Sequence, residues 1–413
     1  MVGTLPAQLR DPSGYARRMY ETYGPVFRTR MFGRDWVILL GPEANELVLF
    51  DRDRTFSSEQ GWKPMLERVF PRGLMLMDGE QHRGHRRLLA QAFKPVPMAR
   101  YAEAMRAGIA ERIARWSGRP ILFYPEIKQL TLDLAATSFL GIPLGEQASR
   151  INRAFIDEVA ASIGLVRWPL PGTAMGRGVA GRRFLVDFFL GEVPKRRESD
   201  GEDLFSQICR ARDEEGRPLE PLAIADHMNF LMMAAHDTIT SSLTATVWQL
   251  GLNPQWQERL AAEVQANGPD ALPETEQAFK EALRLVSPVP SLPRRALKPF
   301  HFGGYDVPAG VGVSVSPSFV HKLPDVWPDP ERFDPLRFSP EAIRARHKYA
   351  WVPFGGGAHM CLGLHFAMLQ ARLFLHALLE KHRIRLTGGE PTAWQAWPIP
   401  KPRDGLPLVL ERN

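Results

Sequence analysis

From Leu222 to Leu252 the chain has apolar or small residues on every side of a helical wheel, with no proline and one late glycine, Gly251. A helix apolar all round is buried. At about 1.5 Å per residue it spans roughly 45 Å, enough to cross a whole molecule. Other stretches show one-sided patterning. Glu43–Phe50, Gly79–Phe93, Tyr101–Trp116, Ile127–Leu140, Asp203–Arg212, Asp270–Leu285 and Leu364–Lys381 read as helices. Pro25–Leu40 reads as two short strands around Phe32–Arg34, with Gly33 at the turn and Gly41-Pro42 as the stop. Ser291–Pro317 alternates apolar and polar positions between glycine and proline turns, and the chain is β-like from Leu386 onward. The pattern predicts a mainly α fold with a smaller β-rich portion, at about residues 25–60 and 289–317 of one unit covering 1–413. Three stretches read as connections. Phe56–Met77 is loop-like, yet its large apolar residues need a core or a pocket to pack on. Ile163–Leu190, with two prolines and five glycines, has the build of an apolar lid or of a long surface connection with a helix after it, and Lys195–Asp203 is a charged loop.

Candidate chemistry gathers at Phe354–Gly363, FGGGAHMCLG, which holds Cys361, one of two cysteines in 413 residues. Glycines there allow tight turns and close backbone approach, and a helix follows. Backbone N–H groups and the helix dipole at such a point favour a thiolate. Three readings fit these letters: a buried structural cysteine, a zinc site using His359, Cys361 and His365, or an axial thiolate on haem iron. Cys209, inside a helical run, reads as a packing residue.

Further polar groups stand out against apolar surroundings. His236-Asp237-Thr238 interrupts the middle of the long helix, where a carboxylate is costly unless paired. His82 and Arg86 share one helical face. Glu281 and Arg284 are an i,i+3 pair, about eighty residues before Cys361 and followed by Pro288.

Taken in order, these motifs resemble those of cytochrome P450s. Phe354, Gly355, Gly357, His359, Cys361 and Gly363 fall in the haem-binding signature. Ala234-Ala235-His236-Asp237-Thr238-Ile239 resembles the family's central-helix motif above the haem, and His82-x-x-x-Arg86 its propionate-binding helix. Glu281-x-x-Arg284 with Pro335-Leu336-Arg337-Phe338 resembles its structural triad, Arg332 in Pro330–Phe333 being the alternative third member. The resemblance implies the P450 fold, with one haem b on the Cys361 thiolate. His82, Arg86, Arg294 and His359 would hold propionates, with Arg295 ranked after Arg294. Ala234 would line the haem pocket, Phe354 would tune the thiolate, Val289 to Leu292 would face the distal side, and Asp237 and Thr238 would deliver protons there. Ala235 stands where the family has glycine, and Ile239 where it has a second threonine. Thr240 lies on another face and does not replace it.

The implied function is a monooxygenase that inserts one atom of dioxygen into a lipophilic substrate. The run Trp168–Thr173 (WPLPGT) resembles P450s acting on sterols and retinoids, and a terpenoid or fatty acid serves as well. A peroxide-using haem-thiolate enzyme and a haem-thiolate sensor without turnover are the alternatives. Composition adds bounds. Two cysteines point to a reducing cytoplasm, and the N-terminal residues carry neither a signal peptide nor a membrane anchor. A formal charge of +6 favours acidic partners. The cations are dispersed, so nucleic acid is not expected. No stretch reads as a fused flavin or iron–sulfur domain. A ferredoxin or flavodoxin with its reductase is the expected electron source, docking near Arg83, Arg87 and Lys348 on a monomer.

Overall fold

The computed structural model describes residues 11–31, 34–143, 145–162, 164, 166–388 and 393–413. The expected turn residues Phe32 and Gly33, and Ile163 and Leu165 of the expected lid, lie outside them. The long helix runs Pro221–Leu252, starting on a proline that needs no hydrogen-bond acceptor in the first turn. Helices Phe123–Leu140, Ala174–Glu198 and Pro273–Leu285 pack around this central helix and share its main core. Its second half is rich in Ser and Thr yet buried. Ser242, Thr244 and Thr246 each donate to the carbonyl four residues back, at 2.7, 2.7 and 2.8 Å. Thr240 meets Thr131 of the neighbouring helix hydroxyl to hydroxyl at 2.7 Å. Buried hydroxyls are thereby satisfied, as burial requires.

The β-rich portion forms a five-stranded sheet in the spatial order Val26–Met31, Arg34–Leu39, Gly312–Val315, Leu292–Ala296, Phe56–Ser57. Only the Arg34–Leu39 to Gly312–Val315 pair is parallel. A smaller three-stranded sheet joins Pro120–Leu122, Pro407–Arg412 and His382–Leu386. The first sheet carries Arg294 inward from its fourth strand and so sets one wall of the site.

Three connecting segments are more ordered than their composition implies. Phe56–Met77 is not a loop throughout: Ser58–Leu66 is helical, capped by the Ser57 hydroxyl, and Leu74–Leu76 forms a single tight turn. Pro64 sits inside this helix and Gly61 packs on the Arg294 backbone, so the breakers that suggested a loop are accommodated. In the expected lid, Ala174–Glu198 is one helix, and the irregular connection ends at Thr173, its N-cap. The charged loop expected from Lys195 starts only after Glu198.

Arg167 is the reason this connection packs. Its guanidinium donates to the Ala161 and Ser162 carbonyls ending helix Glu146–Ser162. It also donates to the Pro64 and Met65 carbonyls near the end of Ser58–Leu66. Carbonyls at helix C-termini lack internal partners and attract a cation. Asp226 of the central helix likewise accepts Arg72 and Arg182, each at 2.6 Å. Cys209 is fully buried, which pushes its thiol up to about 12, in keeping with a packing role.

Two fully buried histidines set a pH limit. His321 donates from Nδ1 to Ser287 Oγ and accepts the Val352 N–H at Nε2. His227 faces His85 at 2.7 Å. Burial depresses both to about 3. Unfolded chains therefore bind protons that the fold excludes between roughly pH 6.5 and pH 3, and stability falls as pH drops through that window. Thermal unfolding of the holoprotein at stepped pH is expected to show this acid loss. Replacing His321 with glutamine is expected to flatten it.

Candidate functional site

Cys361 sits at the end of a loop closed by backbone bonds: Gly355 N–H to Val352 O at 3.0 Å and Cys361 N–H to Phe354 O at 2.8 Å. Gly355 and Gly357 adopt φ of 70° and 61°, and a Cβ on Gly357 would stand 2.1 Å from the Leu49 carbonyl. Only glycine fits there. The Phe354 ring packs edge-on against Trp351, with centroids 6.1 Å apart. Helix Leu364–Leu379 begins three residues after the cysteine.

The Cys361 sulfur is accessible, yet protein surrounds it closely enough for burial to be the main influence on it. Burial pushes the thiol pKa up; the Gly363 N–H and the Arg86 charge pull it down without prevailing. The Gly363 N–H favours the thiolate as expected, while desolvation opposes it more strongly. A bound metal cation would supply a counter-charge that reverses this balance.

Beside the sulfur lies a cluster drawn from four segments. His82 and Arg86 come from helix Gly79–Ala90, Arg294 from the sheet, His359 from the cysteine loop and Asp78 from just before the helix. The His82 and His359 rings stack at 4.0 Å. His359 Nε2 is 3.3 Å from Asp78 Oδ1. Burial opposes ionisation of Asp78, but bonds from His359, Ser57 and Ser58 outweigh it and hold the carboxyl below its usual value. Arg294 is buried, donates only to its neighbour's Pro293 carbonyl at 2.8 Å, and burial depresses it to about 10. Burial and the nearby cations push His82 down to about 4, and its Nε2 has no partner. Two guanidinium groups and two imidazoles thus gather near the Asp78 carboxylate, with the Asp51 carboxylate also close enough to Arg294 to act on its charge. A ligand bringing further carboxylates fits this surplus of donors, as haem propionates would. Arg295 of the same strand is half-buried and outside the cluster.

Across the central helix, Met233, Ala234, Ala235 and Thr238 are its half-exposed stretch between fully buried flanks. Thr238 donates to the Ala234 carbonyl at 2.9 Å, and the helix continues through Ala235 unbroken. Asp237 is buried and paired: Lys128 Nζ lies 3.0 Å from Oδ1, and His236 Nε2 lies 3.5 Å from Oδ2. Burial works against its charge, but His236, Lys128 and Lys401 together hold its pKa below the ordinary carboxylate value. Lys128 comes from helix Phe123–Leu140, and no local sequence signal marks it as the partner.

Glu281 and Arg284 form a bidentate pair at 2.7 Å with both side chains fully buried, and Arg337 Nε stands 3.5 Å from Glu281. Arg332 contributes only its carbonyl to Arg284, its own side chain being exposed. The zinc alternative finds no grouping: among the described residues, no three His, Cys, Asp or Glu side chains are placed to hold a metal ion. Of the expected docking cations, Arg83 pairs with Glu80, Arg87 with Glu214, and Lys348 lies over the Phe50 and Tyr349 rings.

The family model described as Cytochrome P450 matches residues 2–401. The chain belongs to the cytochrome P450 family. It is 36% identical over 99% of its length to the putative cytochrome P450 136 of Mycobacterium tuberculosis, covering 86% of that protein. It is 31% identical over 96% of its length to the putative cytochrome P450 120 of Synechocystis, covering 91% of it. A beta-amyrin 28-monooxygenase of Solanum lycopersicum is 29% identical over 95% of this chain and 86% of its own. A solved structure titled "Retinoic acid bound cyanobacterial CYP120A1" superposes with a TM-score of 0.92 at 29% identity, over 100% of this chain and 97% of that one. The P450 fold is confirmed, and the protein is a P450 monooxygenase, an oxidoreductase whose family carries haem on a cysteine thiolate. Among the described residues, no helix is long and apolar enough to cross a membrane.

Proposed function

We propose that this P450 hydroxylates a bulky lipophilic molecule of the sterol, terpenoid, retinoid or fatty-acid kind. Cys361 would be the thiolate ligand, while His82, Arg86, Arg294 and His359 hold the propionates. The haem, when bound, supplies dioxygen activation. The observation that carries the reading is the cluster of His82, Arg86, Arg294 and His359, richer in donors than in carboxylates, beside an accessible cysteine.

This chain's own residues supply positioning and protons. Thr238 lies in the half-exposed stretch of the central helix, its hydroxyl donating to the Ala234 carbonyl, with Asp237 one residue before it. In that arrangement the hydroxyl orients a proton-bearing water, and the carboxyl refills it from its paired, buried side. Thr238→Ala is expected to leave haem content unchanged and divert reducing equivalents to hydrogen peroxide. Peroxide formed per NADPH consumed, with surrogate redox partners, measures it. Unchanged coupling would mean that protons travel without the hydroxyl.

For the substrate class, Phe70 packs on Phe230 of the central helix at 6.3 Å, and half-buried Trp62, Met65 and Met75 flank the same segment. The relatives named for retinoic acid and beta-amyrin support the same chemistry. A screen of lipophilic compounds for substrate-induced change in the haem spin state, followed by product analysis, tests it. Retinoids, sterols or triterpenoids are expected to respond, and a response confined to small polar compounds would overturn the class.

Electrons would arrive from a ferredoxin or flavodoxin. Arg83 and Arg87 already have carboxylate partners, so the basic patch is weaker than its letters suggest. Beside the cysteine loop lies a groove of about 980 Å³ lined by Phe93, Met98, Trp351, Phe354 and Met368, with charges of both signs at its rim: Lys280 pairs with Glu276, Arg372 with Asp270, and Arg106 and Glu103 complete it. It suits a partner with an apolar centre and a rim of mixed charge.

A further inference from the structure

His236 is fully buried in the middle of the central helix, and nothing in the chemistry above uses it. Its Nδ1 lies 2.8 Å from the Met232 carbonyl. A carbonyl only accepts, so Nδ1 carries the proton. That fixes what the other nitrogen is. In neutral imidazole Nε2 is then a bare acceptor, and among the described residues it has no hydrogen-bond partner. The atom it faces, at 3.5 Å, is Oδ2 of Asp237. An ionised carboxylate also only accepts. Two buried acceptors pointed at one another leave a place for one proton between them.

We propose that His236 and Asp237 share one transferable proton, making His236 a relay residue behind the proton-delivering carboxyl. The inference rests on the reading of Asp237 and Thr238 given above. Helical geometry supports it. Successive residues are about 100° apart around the axis, so Asp237 lies between Thr238 on the open side and His236 on the buried side. In the transfer, the Nε2–H bond of His236 breaks as an O–H bond forms on Asp237. Asp237 then passes that same proton on toward Thr238 and returns to the carboxylate, leaving the imidazole in the neutral Nδ1–H form. A solvent proton then restores Nε2–H.

The groups facing the pair from neighbouring elements are Lys128 and Tyr124 on helix Phe123–Leu140 and Lys401 near the C-terminus. Lys128 is about a quarter exposed and reaches Asp237, so it marks where the pair meets water. Burial lowers the His236 pKa while Asp237 and the Met232 carbonyl raise it, and Lys128 lowers it. Burial prevails, so the net direction is downward and Nε2–H forms only as pH falls, with the carboxylate as the group that favours it.

The test uses the holoenzyme as its ferrous–carbonyl complex, with isotope-labelled histidine nitrogens read by NMR across pH. The His236 signals are assigned by their loss in His236→Asn, whose amide keeps a donor to Met232. Nδ1 is expected to remain proton-bearing throughout. Nε2 is expected to move from a bare to a proton-bearing signal as pH falls, and Asp237→Asn is expected to remove that transition. With redox partners, His236→Asn is expected to keep full haem content yet lose coupled product on the order of tenfold, the lower end of general acid–base effects. The loss deepens with rising pH. A bare Nε2 at every pH, or a His236→Asn pH profile matching wild type, overturns the relay. If Thr238→Ala still uncouples in that case, the Asp237–Thr238 reading stands; if Thr238→Ala is also silent, that reading fails instead.

Discussion

Replacing Cys361 with serine is expected to abolish the red-shifted ferrous–carbonyl absorption of a thiolate-bound haem. The loop geometry should survive, because backbone bonds close it and Gly355 and Gly357 shape it. The propionate-facing cluster should survive too, since its members come from other segments. Haem can therefore still enter, but without a soft anionic ligand. The side chain change is one atom, whereas the spectral change is complete. Retention of the shifted band would exclude Cys361 as the ligand. Structural cysteines give no such signature: Cys209→Ser should leave the spectrum unchanged, since that thiol is fully buried in the apolar core.

Glu281→Ala is expected to yield little haem-loaded protein. Its carboxylate is the acceptor for Arg284 at 2.7 Å twice over, for the Asp334 N–H at 2.9 Å, and an ion-pair partner of Arg337. Burial raises its pKa, and Arg284 leads the groups that oppose this. Removing it leaves a guanidinium with no accessible surface uncompensated. Breaking one partner out of a buried pair costs about 3–5 kcal/mol, a large part of the roughly 5–15 kcal/mol that holds a typical protein folded. The damage reaches the haem because Arg284 also donates to the carbonyls of His321, Pro330 and Arg332. His321 in turn accepts the Val352 N–H at the root of the cysteine loop. Glu281→Gln keeps acceptor geometry but not charge, and should fall between wild type and alanine. Haem absorbance per unit protein after purification decides it, and a wild-type value for alanine would count against the brace.

The parts of this site legible in the sequence are those written in short spacings. The cysteine loop needs glycine at fixed offsets, and the i,i+3 and i,i+4 pairs Glu281–Arg284 and His82–Arg86 declare a shared helical face. A carboxylate in a helix apolar all round announced that a partner must exist, and Lys128 is that partner. Its identity was hidden because it lies 109 residues away, on a helix whose own pattern is ordinary. Asp78 was missed for a related reason. Placed before a glycine and a helix, it reads as a cap for Gly79–Ala90; its side chain instead accepts from Ser57, Ser58 and Glu59 at the start of an earlier helix. Phe56–Met77 misled through its glycines and Pro64, which local propensity scores as loop. Tertiary contacts from Arg167 and Asp78 override that preference. The stretch read as a lid or as a connection followed by a helix takes the second form, with Arg167 tying the connection to two helix ends.

The most direct test of monooxygenase chemistry at Cys361 is turnover of a spin-shifting lipophilic substrate under isotopically labelled dioxygen, with NADPH and surrogate redox partners. One labelled oxygen atom is expected in the product, with NADPH consumption matching product formation. Product lacking the label, or formed only when peroxide replaces the electron donors, would contradict the account.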